Sequence, residues 1–221
     1  MKVRAKGLEL ILGLLLAACA QPLLGIDDQS SFVTWPVPAD REEKRFLLRY
    51  PHLATRDGPR LVLWFSNSSV TLENTPEEHC DSVECVRYVV VDYWPEHEVF
   101  LIDIPYLEGY GSALVYSDAM IHMLGRPKFS PSGRRFMTFS NDCAYGDGGA
   151  LDIWEFTSKK PEMLFRFVEG GFTIESAIWI NEDRINTKPS RDSLCLEMEK
   201  SSSPMTIQRA DGNKWSVKET R

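Results

Sequence analysis

The chain is a succession of short runs of β-branched and aromatic residues separated by turn-forming groups, a pattern typical of β-strands. The strongest runs cover residues 60–65, 86–94, 98–104, 112–118, 134–140, 151–156, 163–168 and 176–181. Weaker runs follow at RINTK, LCLEME, PMTIQRA and KWSVKE. Turns are indicated at residues 131–133, 146–149, 181–183 and 211–213. Many closely spaced short strands predict an all-β fold, as a sandwich, barrel or propeller.

One segment ahead of the strands favours a helix. In ADREEKRFLLRYP, Asp40 precedes Glu43 by three residues, the spacing of a capping box. The sequence therefore predicts a short helix over residues 41–49, ended by Pro51. A strand over residues 46–50 is the alternative.

A repeated pattern refines the fold prediction. PKFSPSGRRFMTFSND resembles the blade signature of WD40-like and periplasmic Tol-type β-propellers, with LDIWEF and EMLFRFVEG as the third and fourth strands. In a second unit, SAIWINEDRINTK supplies two strands joined by a turn, SLCLEMEK the third strand and PMTIQRADG the fourth. In a third unit, VRYVVVDYWPEHEVFLIDI supplies the second and third strands and ALVYSDAMI the fourth. The resemblance implies a propeller-like stack of antiparallel four-stranded blades.

Three units are visible, whereas closed propellers have four or more blades. Closure would require a fourth blade built from the N-terminal segment together with KWSVKE. An open stack of blades and a twisted β-sandwich are the alternatives.

The N-terminus has the form of an export signal. Lys2, Arg4 and Lys6 precede an apolar run from Leu10 to Ala18, about half the length of a membrane-spanning helix. We interpret residues 1–18 as a signal peptide, residues 19–38 as a tether and residues 39–221 as a single β-rich domain.

Two cleavage sites compete at the end of this run. Leu16-Ala17-Ala18-Cys19 resembles the lipobox of bacterial lipoproteins, in which the cysteine becomes acylated, for example with palmitate. The resemblance implies a lipid anchor on Cys19 and, because Ala20 follows, the periplasmic face of the outer membrane or the cell surface as its location. The alternative is an ordinary cut before Gln21, which would release a secreted or periplasmic soluble protein.

The charge disfavours one class of partner. The chain carries a net −7, and residues 1–18 contribute +2, which leaves −9 on the mature part. Nucleic-acid backbones are bound by clustered Lys and Arg, so we expect no nucleic-acid partner. Gly-x-Ser-x-Gly, His-Glu-x-x-His and a phosphate-binding glycine loop do not occur in the sequence, which weighs against an enzyme.

Four cysteines remain once Cys19 is set aside, and an even number fits an oxidising compartment. Of the three possible pairings we favour Cys80–Cys85 with Cys143–Cys195. A metal site formed by His79 with Cys80 and Cys85 is the alternative.

The segment YWPEHEVF carries the candidate binding residues Trp94, Glu96, His97 and Glu98, to which we add Asp147. Glu96 and Glu98 would share one face if the strand began early. A polar hairpin tip is the competing interpretation.

The loop SNDCAYGDGGALD is rich in oxygen donors and glycine, which suits calcium. Its candidate ligands are Asn141, Asp142, Asp147 and Asp152. An ordinary loop between strands is the alternative, and no other cofactor is predicted.

Six tryptophans suggest a carbohydrate-binding surface. Trp64, Trp154 and Trp179 lie inside apolar runs and are predicted to be in the core. Trp35 and Trp94, beside prolines, are predicted to be more exposed.

Together these features favour a non-catalytic, lipid-anchored envelope protein that binds an envelope protein or a glycan. A glycosidase-like hydrolase, using carboxylates among Glu96, Glu98, Asp147 and Asp152, is the alternative. An inert structural lipoprotein is a third interpretation.

Overall fold

Four antiparallel sheets follow one another along the chain, each a meander in which consecutive strands pair. The computed structural model describes residues 39–76, 79–80, 85–106, 109–140, 149–157, 160–169, 174–189, 204–210 and 214–219. Residues 38–221 belong to one compact unit.

The first two sheets contain seven strands. Sheet A consists of β1 (Ala54–Asp57), β2 (Arg60–Trp64) and β3 (Ser69–Glu73). Sheet B consists of β4 (Val89–Trp94), β5 (Val99–Tyr106), β6 (Gly109–Val115) and β7 (Met120–Met123).

The last two sheets have four strands each. Sheet C consists of β8 (Lys128–Phe129), β9 (Arg135–Ser140), β10 (Gly149–Thr157) and β11 (Lys160–Glu169). Sheet D consists of β12 (Ile174–Asn181), β13 (Arg184–Pro189), β14 (Met205–Arg209) and β15 (Trp215–Glu219). The prediction of a predominantly antiparallel β fold is confirmed.

The assignment of strands to blades needs two corrections. VRYVVVDYWPEHEVFLIDI supplies the first and second strands of sheet B, not the second and third, because β7 completes the sheet. KWSVKE is β15, the last strand of sheet D, and the additional sheet is formed by residues 54–73. The predicted third strand SLCLEMEK lies outside the described residues.

The helix α1 spans Ala39–Arg49, as predicted. Glu43, expected to cap it, is instead buried and serves a tertiary role. Its carboxylate accepts hydrogen bonds from the Arg56 guanidinium and from the Val90 backbone amide, so it joins the helix to sheets A and B. The capping-box interpretation of Glu43 is therefore wrong, because β1 and β4 hold its side chain.

Three apolar cores lie between successive sheets. The A/B core joins α1, sheet A and one face of sheet B, and it includes Phe46, Leu61, Leu63, Phe100 and Ile102. The B/C core contains Val99, Leu101, Leu114, Phe136 and Trp154, and the C/D core contains Met137, Leu151, Ile153, Ile185 and Ile207. Sheets B and C are each covered on both faces.

Sheets A and D are covered on one face only in the described residues. On β2, Leu61 and Leu63 enter the A/B core, whereas Arg60 and Trp64 face outward. On β13, Ile185 enters the C/D core, whereas Arg184 faces outward. Trp64 is 45% exposed, so its predicted core position is wrong, because strand alternation turns it away from the leucines.

The other tryptophans follow the prediction more closely. Trp154 is buried in the B/C core, and half-buried Trp179 packs against the C/D core. Trp94 is half-buried, and Trp35 lies outside the described residues.

Strand β11 is an edge of sheet C and carries an irregularity. Phe165 pairs with Ile153 and Met163 pairs with Trp154, which leaves Leu164 as an extra residue. This is a β-bulge, a feature that bends a strand and interrupts its regular pairing.

Cys80 and Cys85 form a disulfide with a Cα–Cα distance of 4.7 Å, as predicted. This bond uses both sulfurs that the alternative metal site with His79 would require. Cys143 and Cys195 lie outside the described residues, so their pairing stays a prediction.

Candidate functional site

The segment carrying the predicted binding residues is the turn between β4 and β5. The His97 amide donates to the Trp94 carbonyl over 3.1 Å, and the Glu98 amide donates to the Pro95 carbonyl over 3.3 Å. Glu98 has a φ of 48°, in the left-handed region. Because β5 begins only at Val99, Glu96 and Glu98 are not strand neighbours on one face, and the hairpin-tip interpretation describes this backbone.

His97 connects this turn to sheet C. Its imidazole stacks on the Phe156 ring at the end of β10, with ring centroids 3.7 Å apart and an interplanar angle of 5°. Its Nδ1 atom is buried and has no hydrogen-bond partner in the described structure. Stacking therefore fixes the ring, while the imidazole keeps an unused polar atom.

Trp94 extends the same cluster. Its ring meets Phe129 of β8 edge-on at 4.9 Å and Phe156 at 6.1 Å. Phe129 is 40% exposed. We call Trp94, His97, Phe129 and Phe156 the aromatic patch; it is built by the ends of strands from sheets B and C.

Carboxylates border the aromatic patch. Asp92 accepts a hydrogen bond from Trp94 Nε1 over 3.2 Å, which orients the indole. Glu98 accepts one from the Ser66 hydroxyl over 2.6 Å, and Glu96 is exposed. The patch therefore combines apolar ring surface with acidic groups, of which Asp92 and Glu96 are exposed to solvent.

The acidic groups around the patch affect the pKa of Tyr93. Burial raises the pKa of its hydroxyl, and the negative charge of Glu98 raises it further. Tyr93 therefore stays neutral at physiological pH.

Asp152, a predicted calcium ligand, has a different role. Its side chain is fully buried, and its two oxygens accept hydrogen bonds from the Arg166 Nε and Nη2 atoms, each over 2.7 Å. The hydrogen bond with Asp152 raises the pKa of Arg166 despite the opposing effect of its partial burial. The charge of Asp152 is thus balanced by arginine.

Asp152 does not belong to the aromatic patch. It precedes Phe156 by four residues on β10, which corresponds to about 13 Å along a strand. Asn141, Asp142 and Asp147 lie outside the described residues, so the calcium site and the binding role of Asp147 stay predictions. Within the described ranges, no group of three His, Cys, Asp or Glu side chains could hold a metal ion.

The carboxylates considered for hydrolysis are engaged differently from one another. Asp152 is buried against Arg166, Glu98 is bonded to Ser66, and Glu96 is exposed. A retaining or inverting glycosidase needs two accessible carboxyl groups facing each other across a substrate. Asp152 is therefore not available as one member of such a pair, because it is buried and bound by Arg166.

Sequence reasoning identified Trp94 and His97 but missed Phe129 and Phe156. Phe129 carried a usable signal, because it lies in the segment PKFSPSGRRFMTFSND, which stood out in the sequence for its resemblance to a blade signature. Phe156 carried none, because its contact with His97 joins two sheets and depends on how they pack.

Among the described segments, no helix is long and apolar enough to cross a membrane. No protein-family model, curated protein or solved structure matches this chain.

Proposed function

We propose that this chain is an exported, lipid-anchored envelope protein that binds a partner protein or a glycan through the aromatic patch without catalysing a reaction. The export signal and the lipobox-like Leu16-Ala17-Ala18-Cys19 support the location. The Cys80–Cys85 disulfide is consistent with an oxidising compartment.

The fold that we propose for this module is an open, propeller-like stack. The support is that four meander sheets occur in chain order and that each adjacent pair shares an apolar core. The outward residues of sheets A and D include Arg60, Thr71, Arg184 and Lys218, as expected for the two ends of a stack. A closed ring would instead cover both faces of every blade.

The observation that carries the binding proposal is the exposure of Phe129 beside half-buried Trp94. Aromatic rings that reach solvent beside hydrogen-bonding groups are typical of surfaces that bind proteins or sugars. Glu96, on the turn next to Trp94, adds an exposed acceptor for a ligand hydroxyl or a basic side chain. A hydrolase is not proposed, because Asp152 is buried and bound by Arg166, which removes one candidate carboxylate from solvent.

The test is cross-linking in the native envelope with three forms of the full chain: wild type, Phe129→Ser and Ile178→Ser. Ile178 is 54% exposed on sheet D, so its variant controls for loss of an exposed apolar side chain outside the patch. We expect one cross-linked protein or glycan to be recovered with wild type and Ile178→Ser, and at least about tenfold less with Phe129→Ser, as for a binding hot spot. Equal recovery from all three forms would refute binding through the patch.

The intact mass of the protein extracted from membranes tests the anchor separately. Cleavage before Cys19 would remove the mass of residues 1–18, and acylation of Cys19 would add the mass of the acyl chains. A mass that corresponds to cleavage before Gln21 would refute the anchor and leave the binding proposal standing.

A further inference from the structure

The helix α1 has two faces with opposite roles. Glu43 and Phe46 are buried against sheets A and B, and Leu47 packs beside them. Glu42 forms an ion pair with Arg126, and Glu43 forms one with Arg56. Glu42 and Glu43 are therefore both engaged with arginines from other elements.

The other face of α1 is basic. Arg41, Lys44, Arg45 and Arg49 are all exposed, and Leu48 between them is 75% exposed. At 3.6 residues per turn, these five side chains occupy one arc of about 140°. We call them the basic face.

The basic face has no carboxylate partner in the described part of the chain. The guanidinium of Arg49 lies over the Tyr50 ring at 5.0 Å, and the other three cations form no ion pair or ring contact with the described residues. Several arginines elsewhere in the protein, among them Arg56, Arg135 and Arg166, are bound to acids. Four adjacent positive charges on a chain of net charge −7 therefore form a distinct surface.

We propose that the basic face of α1 lies on an anionic phospholipid surface. Lipid phosphates would balance the four cations, and Leu48 would contact the boundary between headgroups and acyl chains. The face opposite is already fixed in the A/B core, so the helix can bind the surface without leaving the domain.

The position of α1 in the chain favours a membrane over a soluble polyanion. This step rests on the proposed lipid anchor at Cys19. Nineteen residues separate Cys19 from Ala39, and a chain of that length spans at most about 65 Å. An anchored chain would thus hold α1 within reach of the lipid headgroups and raise their effective concentration.

The experiment measures partitioning of the full chain bearing Cys19→Ser, which cannot be acylated at that site. The vesicles contain phosphatidylethanolamine with phosphatidylglycerol, or phosphatidylcholine alone as the neutral surface. Three further forms in the same background are compared: R41E/K44E/R45E, R41Q/K44Q/R45Q and R184E/K214E/K218E. The last is a matched control, because Arg184, Lys214 and Lys218 are exposed on sheet D and the charge change is the same.

Each basic residue near an anionic surface is worth about a fivefold change in partitioning. We expect R41E/K44E/R45E to bind anionic vesicles at least about tenfold more weakly than its parent, with the glutamine variant in between. The sheet D control should change by less than about threefold. The difference should vanish at about 1 M salt, where the screening length falls to about 3 Å. Lys2, Arg4 and Lys6 are common to all forms and cancel in the comparison.

Equal losses for the α1 and sheet D variants would overturn the proposal, because the effect would then follow net charge alone. So would binding to soluble poly-glutamate as strong as binding to vesicles and equally sensitive to the α1 changes, because the partner would then be an acidic polypeptide. Circular dichroism and urea midpoints establish that each variant is folded. Since every form lacks Cys19, failure of the anchor proposal would leave this result unchanged.

Discussion

Sheets B and C differ from sheets A and D in the number of faces that they bury. On β5, six consecutive residues from Val99 to Ile104 are buried, and their apolar side chains alternate between the A/B and B/C cores. On β2 in sheet A, only Leu61 and Leu63 are buried. A continuous apolar run therefore marks a strand covered on both faces, and alternation marks a strand at an end of the stack.

The two kinds of sheet also treat charge differently. The middle sheets contain Asp103 and Asp152, both buried and both bound by an arginine, Arg126 and Arg166 respectively. In sheet D, Glu175 and Lys188 form an exposed pair. A buried charge in the middle sheets is stable only while its ionic partner is present. An exposed charge in the end sheets is stabilised by water when its partner is removed.

The largest expected effect on stability follows from the greater burial of apolar side chains in the middle sheets than in the end sheets. Phe100 is fully buried on β5 and contacts the rings of Phe46, Phe65 and Tyr93. Phe100→Ala should lower the free energy of unfolding by about 3–5 kcal/mol, because it removes a core side chain and leaves a cavity. Urea denaturation monitored by circular dichroism measures the change.

The matched control is Trp64→Ala on the outward face of sheet A. Because Trp64 is 45% exposed, its truncation should cost less than about 1 kcal/mol. A loss close to that of Phe100→Ala would mean that sheet A is covered on both faces, and the comparison between middle and end sheets would fail.

The second prediction concerns charge. Arg166→Met leaves the Asp152 carboxylate buried without its cation, which should cost about 2 kcal/mol; the value is reduced from that of a fully buried pair because Arg166 is half exposed. Lys188→Met breaks the exposed pair with Glu175 and should cost less than about 0.5 kcal/mol. Equal costs in thermal and urea unfolding would contradict the distinction between sheets C and D.

The smallest expected effect concerns the contact between a middle and an end sheet. Glu182, in the β12–β13 turn, accepts a hydrogen bond from the Ser132 amide in the β8–β9 turn. Burial alone would raise the pKa of Glu182, but hydrogen bonds from Ser132 and Ser130 and the charge of Arg135 hold it below its ordinary value of 4.5.

A lowered pKa in the folded state stabilises the protein above pH 4.5, and this contribution is lost as the pH falls through the folded-state pKa. Glu182→Gln should therefore cost less than about 1 kcal/mol at pH 7 and progressively less in acid. The measurement is the urea midpoint as a function of pH, with Glu162→Gln on exposed β11 as the control. A difference between wild type and Glu182→Gln that stays constant down to pH 3 would contradict the assigned role of ionised Glu182.

The sequence predicted the strands of sheets B, C and D better than those of sheet A. Long apolar runs such as VFLIDI are easily identified because every residue is apolar or lies between apolar neighbours. The strands β1 and β3 were missed because ATRD and SVTLE are short and half polar, and their pairing with β2 stabilises them. Trp64 was misplaced because a window rich in apolar residues does not show which face of an end strand is covered.

The candidate site could be predicted only where its residues are close together in the sequence. Trp94 and His97 are adjacent to Pro95 in one turn, and the unusual composition of that turn identified them. The contacts of His97 with Phe156 and of Glu98 with Ser66 join residues separated by 59 and 32 positions, and depend on how three sheets pack. Glu43 was misassigned for the same reason, since Arg56 and Val90 are its partners only after the sheets assemble.

The bulged edge of β11 has a consequence for behaviour at high concentration. This edge is ten residues long and exposes the apolar side chains of Met163, Leu164 and Val168. Such an edge tends to pair with strands of other molecules. Pro161 lacks an amide donor, Leu164 breaks the regular spacing, and Lys160, Glu162 and Arg166 add charge along the strand. This edge is consequently a poor template for fibril growth. Neighbouring copies of the protein would therefore not add strands to it at high concentration.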